Sequence, residues 1–293
     1  MILPPAAENA ILTAGTGLEV LRVTGEDATR FLDAQVTAAL GEDPGTASFA
    51  AIADPKGRVR ITFHAWHTED AWQLALAAGE IEWLREYLAR FVFRARVGIA
   101  ADPDTHLLGV SGAKATAALS AVGLTAPAPH RTASCGALTA IGLAHGRWLL
   151  AGPSAALADV EQRLGERTRS GNFEDWKHAR LAAGEVEIRA ASRDRFLPQM
   201  LGLVELGAVS FRKGCYPGQE VIARLQHRGR VKRTLALFRL DAPLEAGSFH
   251  ELEGIRVEVL DSVALPDGGE LVQVVAPHPL PPELEAHRYS EQI

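Results

Sequence analysis

The sequence predicts an α+β fold in which two duplicated β-α-β-β-α (ferredoxin-like) layers are followed by a small all-β unit. Two observations lead to this prediction. Residues 23–32 (VTGEDATRFL) are echoed by residues 110–119 (VSGAKATAAL), and in each copy a short apolar run comes before a helical pattern. Beyond residue 240, the apolar runs 256–260 and 271–275 are separated by Pro, Gly and Asp, which is typical of short strands joined by turns.

The elements of the two copies follow in the same order. In each copy an apolar run, residues 18–23 or 107–110, leads to a hydroxyl residue, Thr24 or Ser111. These hydroxyls are predicted to cap the helices that follow, and Ser154 is predicted to cap the second helix of the second copy. Residues 59–66 alternate between apolar and polar side chains, and this period predicts a strand with one buried face. Each copy then ends with a tryptophan-led strand and a second helix.

A third helical pattern covers residues 172–183, with Asn172 as its N-cap and Gly184 at its end. Residues 231–240 are again strand-like. The predicted organisation is a region of residues 1–240, with lobes at about 10–100 and 101–240, followed by a C-terminal β unit and tail at 241–293.

The composition is that of an ordinary soluble protein and excludes several classes of function. The 293 residues are 47% apolar and 23% charged, and 30 basic against 36 acidic residues give a net charge of −6, which argues against a protein that coats nucleic acid. Two cysteines, Cys135 and Cys215, cannot form a disulfide framework or a four-thiolate metal site within one chain. Residues 1–5 lack the features of a signal peptide, and no apolar run reaches the roughly 18 residues of a membrane span. We therefore expect a cytoplasmic protein.

One segment, residues 211–224 (FRKGCYPGQEVIAR), carries the residue types of a reactive site. Cys215 lies between Gly214 and Gly218, and glycine allows close approaches that other residues forbid. A thiol reacts as the thiolate, which nearby cations such as Lys213 favour. A lone cysteine is also commonly a small buried apolar residue, so the residues alone leave both roles open. The basic residues that follow are expected to face an anion; they are Arg224, Arg228, Arg230, Lys232 and Arg233.

The run KGCYPGQE, residues 213–220, resembles the K-G-C-[FY]-x-G-Q-E motif of the YgfZ family of folate-binding proteins, which are relatives of the glycine-cleavage T-protein (aminomethyltransferase). Three further runs are similar to the family in the same order along the chain: residues 25–37, 54–59 and 196–204. The resemblance covers about residues 10 to 240. It implies a T-protein-type fold, with three lobes around a central channel that admits a reduced folate. The duplicated layers would form two lobes, and a small C-terminal β-barrel would form the third.

The same resemblance implies a role in making or maintaining [4Fe–4S] proteins, and through them an indirect role in tRNA modification. Independent enzymatic turnover is not expected. Cys215 would be the essential thiol, with Lys213 as a second catalytic residue, and the implied cofactor is tetrahydrofolate or a derivative. No resident metal is expected. The residues implied in cofactor binding are Gly214, Tyr216, Gly218, Gln219, Glu220, Arg224, Arg228, Lys56 and Arg58.

Several alternatives stay open at this point. Cys215 could be a transient ligand of an iron–sulfur cluster or a nucleophile, and because four ligands usually hold such a cluster, a client or assembly protein would have to supply the others. The other activities to weigh are a folate-dependent aminomethyl transferase and a cysteine hydrolase that pairs Cys215 with His227 or His178. We expect a monomer that binds neither membranes nor, directly, nucleic acid.

Two departures from the T-protein pattern bear on these alternatives. The T-protein has a pair of aspartates after a Gly-Gly turn, one of which carries its chemistry, whereas no acidic residue lies between Asp54 and Glu69 here. Aminomethyl transfer therefore lacks its expected acid or base. The T-protein also holds the pterin with a glutamate. The similar segment here, residues 179–184 (ARLAAG), has alanine in that place, with Glu185 close behind.

Overall fold

The computed structural model describes residues 9–41, 43 and 45–289. The ends of the predicted first and last units, residues 1–8 and 290–293, lie outside the described residues. The strands are β1 (Ala10–Thr13), β2 (Leu18–Thr24), β3 (Ala47–Ala53), β4 (Val59–His67), β5 (Ala71–Ala77), β6 (Gly98–Ala101), β7 (His106–Ser111), β8 (Thr132–Cys135), β9 (Leu138–Leu143), β10 (Arg147–Gly152), β11 (Thr168–Gly171), β12 (Arg233–Leu240), β13 (Phe249–Leu252), β14 (Ile255–Ala264) and β15 (Glu270–Pro277). The helices are α1 (Ala28–Asp33), α2 (Ile81–Ala89), α3 (Ala115–Ala121), α4 (Ser154–Gly165), α5 (Phe173–Ala182), α6 (Gln219–Arg228), α7 (Pro282–Glu285) and a 3₁₀ helix at Pro198–Leu201. None of these described helices has the length and apolar character needed to cross a membrane.

The two lobes are built on sheets that repeat one strand order. The first lobe has a five-stranded sheet, β3-β4-β5-β2-β6. The second has a six-stranded sheet, β11-β1-β7-β10-β9-β8, in which the run β8-β9-β10-β7-β1 repeats that order. The α+β class is confirmed, and the repeated order agrees with the predicted duplication. Each copy has three strands between its two helices, one more than predicted.

One predicted helix cap is present and three are not; Ser154 is the first residue of α4 and makes no cap. Asn172 caps α5 through a reciprocal capping box, as its position before a helical pattern predicts. Thr24 and Ser111 are instead the last residues of β2 and β7. Each is followed by a glycine with positive φ, Gly25 or Gly112. This glycine turns the chain before the helix starts, and the predicted hydroxyl caps are therefore wrong.

Strand β4 is buried on both faces, which the alternation of its residues does not predict. Ile61 and Phe63 pack in the core of the first lobe as expected. The intervening Thr62 and His64 are buried as well, because the chain that follows α5 covers their face. The hydroxyl of Thr62 donates a hydrogen bond to the carbonyl of Val186 at 2.7 Å.

Two strands pair outside the units in which the sequence places them. β1 lies at the start of the first predicted lobe, yet it pairs with β7 and β11 in the sheet of the second lobe. β12 lies within the predicted region 1–240, yet it pairs with β15 in the C-terminal sheet. Strand membership follows from hydrogen-bonded partners far along the chain, so position in the sequence does not reveal it.

The C-terminal unit is an antiparallel sheet with the order β12-β15-β14-β13. The predicted strands are present, and the short helix α7 follows them; closure of the sheet into the predicted β-barrel is not found among the described residues. Its outer strands, β12 and β13, do not pair with each other in the described part of the chain, where the sheet is open. The unit docks on α5 through a buried ionic group in which Arg180 and Lys177 both pair with Asp261 of β14.

Candidate functional site

The motif of residues 213–220 packs directly against the turn of residues 54–58. Gly218 has a φ of +78°, and a Cβ at this position would lie 2.4 Å from the carbonyl oxygen of Asp54 and 2.6 Å from the Cα of Gly57. Only glycine allows two backbones to come this close. The structure thus joins two segments that lie more than 150 residues apart in the sequence.

The turn that receives the motif is held by its own aspartate. The Oδ1 atom of Asp54 accepts hydrogen bonds from the amides of Lys56 and Arg58, both at 2.8 Å. The guanidinium of Arg58 donates to the carbonyl of Asp194 at 3.1 Å. The Lys56 and Arg58 side chains are exposed, so both basic residues lie on the surface beside the motif.

Cys215 is exposed, in the segment of residues 213–218 that leads into α6, which we call the motif loop. The next side chain, Tyr216, is only 6% exposed and packs in an apolar cluster with Phe196 and Leu201. Burial raises the pKa of Tyr216 to about 12. The tyrosine ring is therefore packed against protein, while the thiol beside it is open to solvent.

Lys213 does not lie exposed beside the thiol. Its side chain is only 3% exposed, and its amine lies 2.8 Å from the carboxylate of Asp33 at the end of α1. Burial lowers the pKa of Lys213, and Asp33 acts in the opposite direction. The lysine predicted to be catalytic is thus engaged with the first lobe.

The other predicted residues of the motif lie at the start of α6 and on its outer face. Gln219 is half-buried at the helix start. Glu220 and Arg224 are 86% and 72% exposed and pair with each other at 2.9 Å, one helical turn apart. Arg228, in the last turn, is exposed as well. An anion that contacts these arginines would lie on the surface of the protein.

A second polar group is buried between the two lobes and the chain after α5. The Nε2 atom of His64 lies 2.9 Å from one oxygen of Glu185, and Arg147 donates to the other oxygen at 2.6 Å. Burial alone would raise the pKa of Glu185, but the charges of Arg147 and His64 hold it well below its ordinary value. A cavity beside this group is lined by Phe49, His64, His130 and Glu185.

The buried group keeps unused hydrogen-bonding capacity. Within the described residues, the Nη1 atom of Arg147 and the Nε1 atom of Trp176 have no hydrogen-bond partner. Burial lowers the pKa of His130, and the charge of His64 acts in the same direction. Buried donors without partners are uncommon in folded proteins. These two donors are candidates for binding a polar ligand atom or a water molecule.

Most of this buried group escapes sequence reasoning. In the sequence, Glu185 is notable only as the acidic residue closest to the place where the T-protein has its pterin-binding glutamate. The alternation of residues in β4 assigns His64 to a polar face. Arg147 stands immediately before the apolar run of β10, and a charged residue at the start of a buried strand is the available signal. What brings the three together is the packing of the lobes.

Comparison with known proteins decides the family. No protein-family model matches this chain. The chain is 33% identical over 274 residues to the tRNA-modifying protein YgfZ of Shigella boydii serotype 4 (strain Sb227), a match that covers 89% of this chain and 83% of the relative. Identity and coverage are the same for the tRNA-modifying protein YgfZ of Escherichia coli O157:H7 (strain EC4115 / EHEC). The chain belongs to the YgfZ family.

The fold of this YgfZ-family chain is also found in a solved structure. The glycine cleavage system aminomethyltransferase T from Bartonella henselae superposes with a TM-score of 0.73 and 18% sequence identity, and the match covers 92% of this chain and 78% of the other. At this identity the likeness concerns the fold alone. The predicted T-protein-like fold is confirmed.

Proposed function

We propose that this YgfZ-family protein is a cytoplasmic, folate-binding accessory factor for the synthesis or repair of [4Fe–4S] proteins. It supports tRNA modification indirectly, and Cys215 is its essential thiol. The observation that carries the proposal is the placement of Cys215, which is exposed in a motif loop held against the turn of residues 54–58. Reactive cysteines are accessible to solvent, whereas structural cysteines are buried and inert.

In this proposal the [4Fe–4S] cluster is handled as a substrate, and its ligands are shared between this protein and a partner protein. A [4Fe–4S] cluster is usually held by four ligands. The other cysteine, Cys135, lies on β8 of the second lobe. Across the residues that the structure describes, no group of three or more Cys, His, Asp and Glu is placed to hold a metal ion. Cys215 therefore offers one ligand, and the client or assembly protein supplies the rest.

The buried polar group of Glu185, Arg147 and His64 offers hydrogen-bonding groups of the kind that a pterin ring requires. A pterin has an edge of hydrogen-bond donors and acceptors and an aromatic face. Glu185 supplies acceptors, and Arg147 keeps one N–H without a partner among the described residues. The rings of Phe49 and His64, whose centroids lie 4.9 Å apart, supply aromatic surface. The cavity beside this group has a volume of only about 10 Å³ and does not hold a pterin ring. We therefore propose that the pterin of a reduced folate, which carries a one-carbon unit when bound, approaches this polar group from the proposed central channel.

The two alternative activities find less support. Asp54, the acid nearest to the place of the T-protein aspartates, uses its carboxylate to close a turn. Among the described residues no hydrogen bond joins Cys215 to a histidine. His178 is half-buried with its ring against Tyr289, and His227 packs against Phe211. These contacts favour the accessory role over aminomethyl transfer and over cysteine hydrolysis.

Complementation tests the proposed role of Cys215. A strain that lacks the gene receives the wild-type protein, Cys215→Ser or Cys135→Ser, and a [4Fe–4S] enzyme such as the tRNA thiomethylase is assayed under oxidative stress. We expect the wild type and Cys135→Ser to restore activity and Cys215→Ser to fail. Because both cysteines are exposed, Cys135→Ser is a matched control. Equal restoration by all three would refute an essential thiol.

A further inference from the structure

The amine of Lys213 makes a set of contacts that occupies its whole hydrogen-bonding capacity. Nζ donates to the carbonyl of Asp33, to that of Val36 at 3.0 Å and to that of Ala38 at 2.7 Å, and it also pairs with the Asp33 carboxylate. An ammonium group has three N–H donors and no acceptor. The four oxygens therefore leave no donor free for Cys215 or for a ligand.

These oxygens belong to the end of α1 and the loop that follows it. The last carbonyls of a helix have no partner within the helix and carry the negative end of its dipole. α1 has only six residues, and Lys213 satisfies its end from 180 residues further along the chain. A buried ammonium requires such partners, because an unpaired buried charge is strongly destabilising. The position of the Lys213 amine is therefore fixed by the oxygens at the end of α1.

Neighbouring contacts attach the same stretch of chain to the first lobe. The amide of Ser210 donates to the carbonyl of Thr37 at 2.8 Å, and the hydroxyl of Thr37 donates to the carbonyl of Ala208 at 2.6 Å. On the other side of Cys215, Gly218 meets the turn of residues 54–58. The motif loop is thus attached to the first lobe both before and after the thiol.

We propose that Lys213 is a positioning residue, whose ammonium fastens the motif loop to the end of α1 and so holds Cys215 in its exposed place. The amine takes no part in proton transfer. The inference deepens the proposed function and rests on it for the activity measurement alone, since the attachment of the loop is measured separately.

Three substitutions test the attachment: Lys213→Met, Lys213→Arg and, as a matched control, Lys114→Met, because Lys114 is an exposed lysine of the second lobe that contacts Asn9. Amide hydrogen exchange in residues 33–38 and 208–218 reports the attachment, and complementation reports the activity. We expect Lys213→Met to raise exchange in both segments by about tenfold or more and to lower activity. Arginine donates hydrogen bonds but is never a base in proteins. Because its guanidinium is larger than the ammonium group that fits this buried site, Lys213→Arg is expected to recover both properties in part. Lys114→Met is expected to change neither.

The outcomes separate positioning from chemistry. Exchange and activity that change together across the variants support the proposal. Activity lost with exchange unchanged in Lys213→Met would show that the amine acts chemically, and raised exchange with full activity would show that the attachment does not serve function. If neither changes, Lys213 does not fasten the loop. If Lys213→Met does not fold, Asp33→Asn removes the carboxylate but keeps the carbonyls, and we expect a smaller rise in exchange. A fully active Cys215→Ser would refute the proposed function, while the exchange data would still decide the attachment.

Discussion

Replacing Gly218 by alanine tests the junction between the motif and the turn of residues 54–58. The new Cβ would lie 2.4 Å from the carbonyl oxygen of Asp54 and 2.6 Å from the Cα of Gly57, and these backbone atoms cannot rotate away. The φ of +78° adds about 1–2 kcal/mol of strain for a residue with a Cβ, and overpacking adds about 1–3 kcal/mol. We expect the free energy of unfolding to fall by about 2–5 kcal/mol, measured by urea denaturation.

Two other glycines separate strain from crowding. Gly202 has a φ of +68° and nothing within 4 Å of a Cβ, so Gly202→Ala is expected to cost about 1–2 kcal/mol from strain alone. Gly214 has neither a positive φ nor a neighbour within 4 Å, so Gly214→Ala is expected to stay within about 0.5 kcal/mol of the wild type. A Gly218→Ala protein as stable as Gly214→Ala would refute the reasoning about the junction.

Three further predictions concern the buried group and the surface. Glu185→Gln is expected to lower the free energy of unfolding by about 3–5 kcal/mol at neutral pH, because it leaves Arg147 buried without a counter-charge. The pKa of Glu185 is depressed below its ordinary value of 4.5 in the folded protein. The ionised carboxylate therefore stabilises the fold fully above pH 4.5, and this stabilisation is lost as the pH falls below 4.5. In urea denaturation at decreasing pH, the variant is expected to lack this part of the loss of stability. Tyr216→Phe removes a hydroxyl whose contact with a backbone carbonyl is 3.5 Å long; it is expected to lower the free energy of unfolding by less than about 1 kcal/mol in urea denaturation. Folate carries a tail of one or more glutamates, and the exposed guanidinium groups of Arg224 and Arg228 are proposed to pair with the carboxylates of this tail. Replacing both arginines by glutamine is therefore expected to weaken the binding of polyglutamylated folate more than that of the monoglutamate in titration calorimetry.

Each of these has an outcome that contradicts it. A Glu185→Gln protein with wild-type stability at neutral pH would show that Arg147 finds another partner. A Tyr216→Phe protein destabilised by several kcal/mol would show that the hydroxyl, and not ring burial, holds the motif loop. Equal losses for the two folates would show that the arginines do not bind the glutamate tail.

Local patterns in the sequence are sufficient for the fold class and for the reactive segment. The echo of residues 23–32 in residues 110–119 predicts two similar layers, and the strand order of the two sheets repeats accordingly. Asn172 before a helical pattern predicts the start of α5. The run of residues 213–220 indicates the family by its letters alone. These features depend on residues that are neighbours in the sequence, so local backbone preferences and the periodicity of apolar side chains are sufficient to predict them.

The tertiary structure decides what depends on distant partners. β4 is buried on both faces because other parts of the chain cover the face that its period assigns to solvent. This places His64 against Glu185, which also binds Arg147. Lys213, two residues from the thiol in sequence, is directed to the end of α1 instead, since the unpaired carbonyls there accept its buried charge. Gly218 requires glycine because another backbone lies against it. Burial and long-range hydrogen bonding arise only when separate segments pack together, and no local period in the sequence records them.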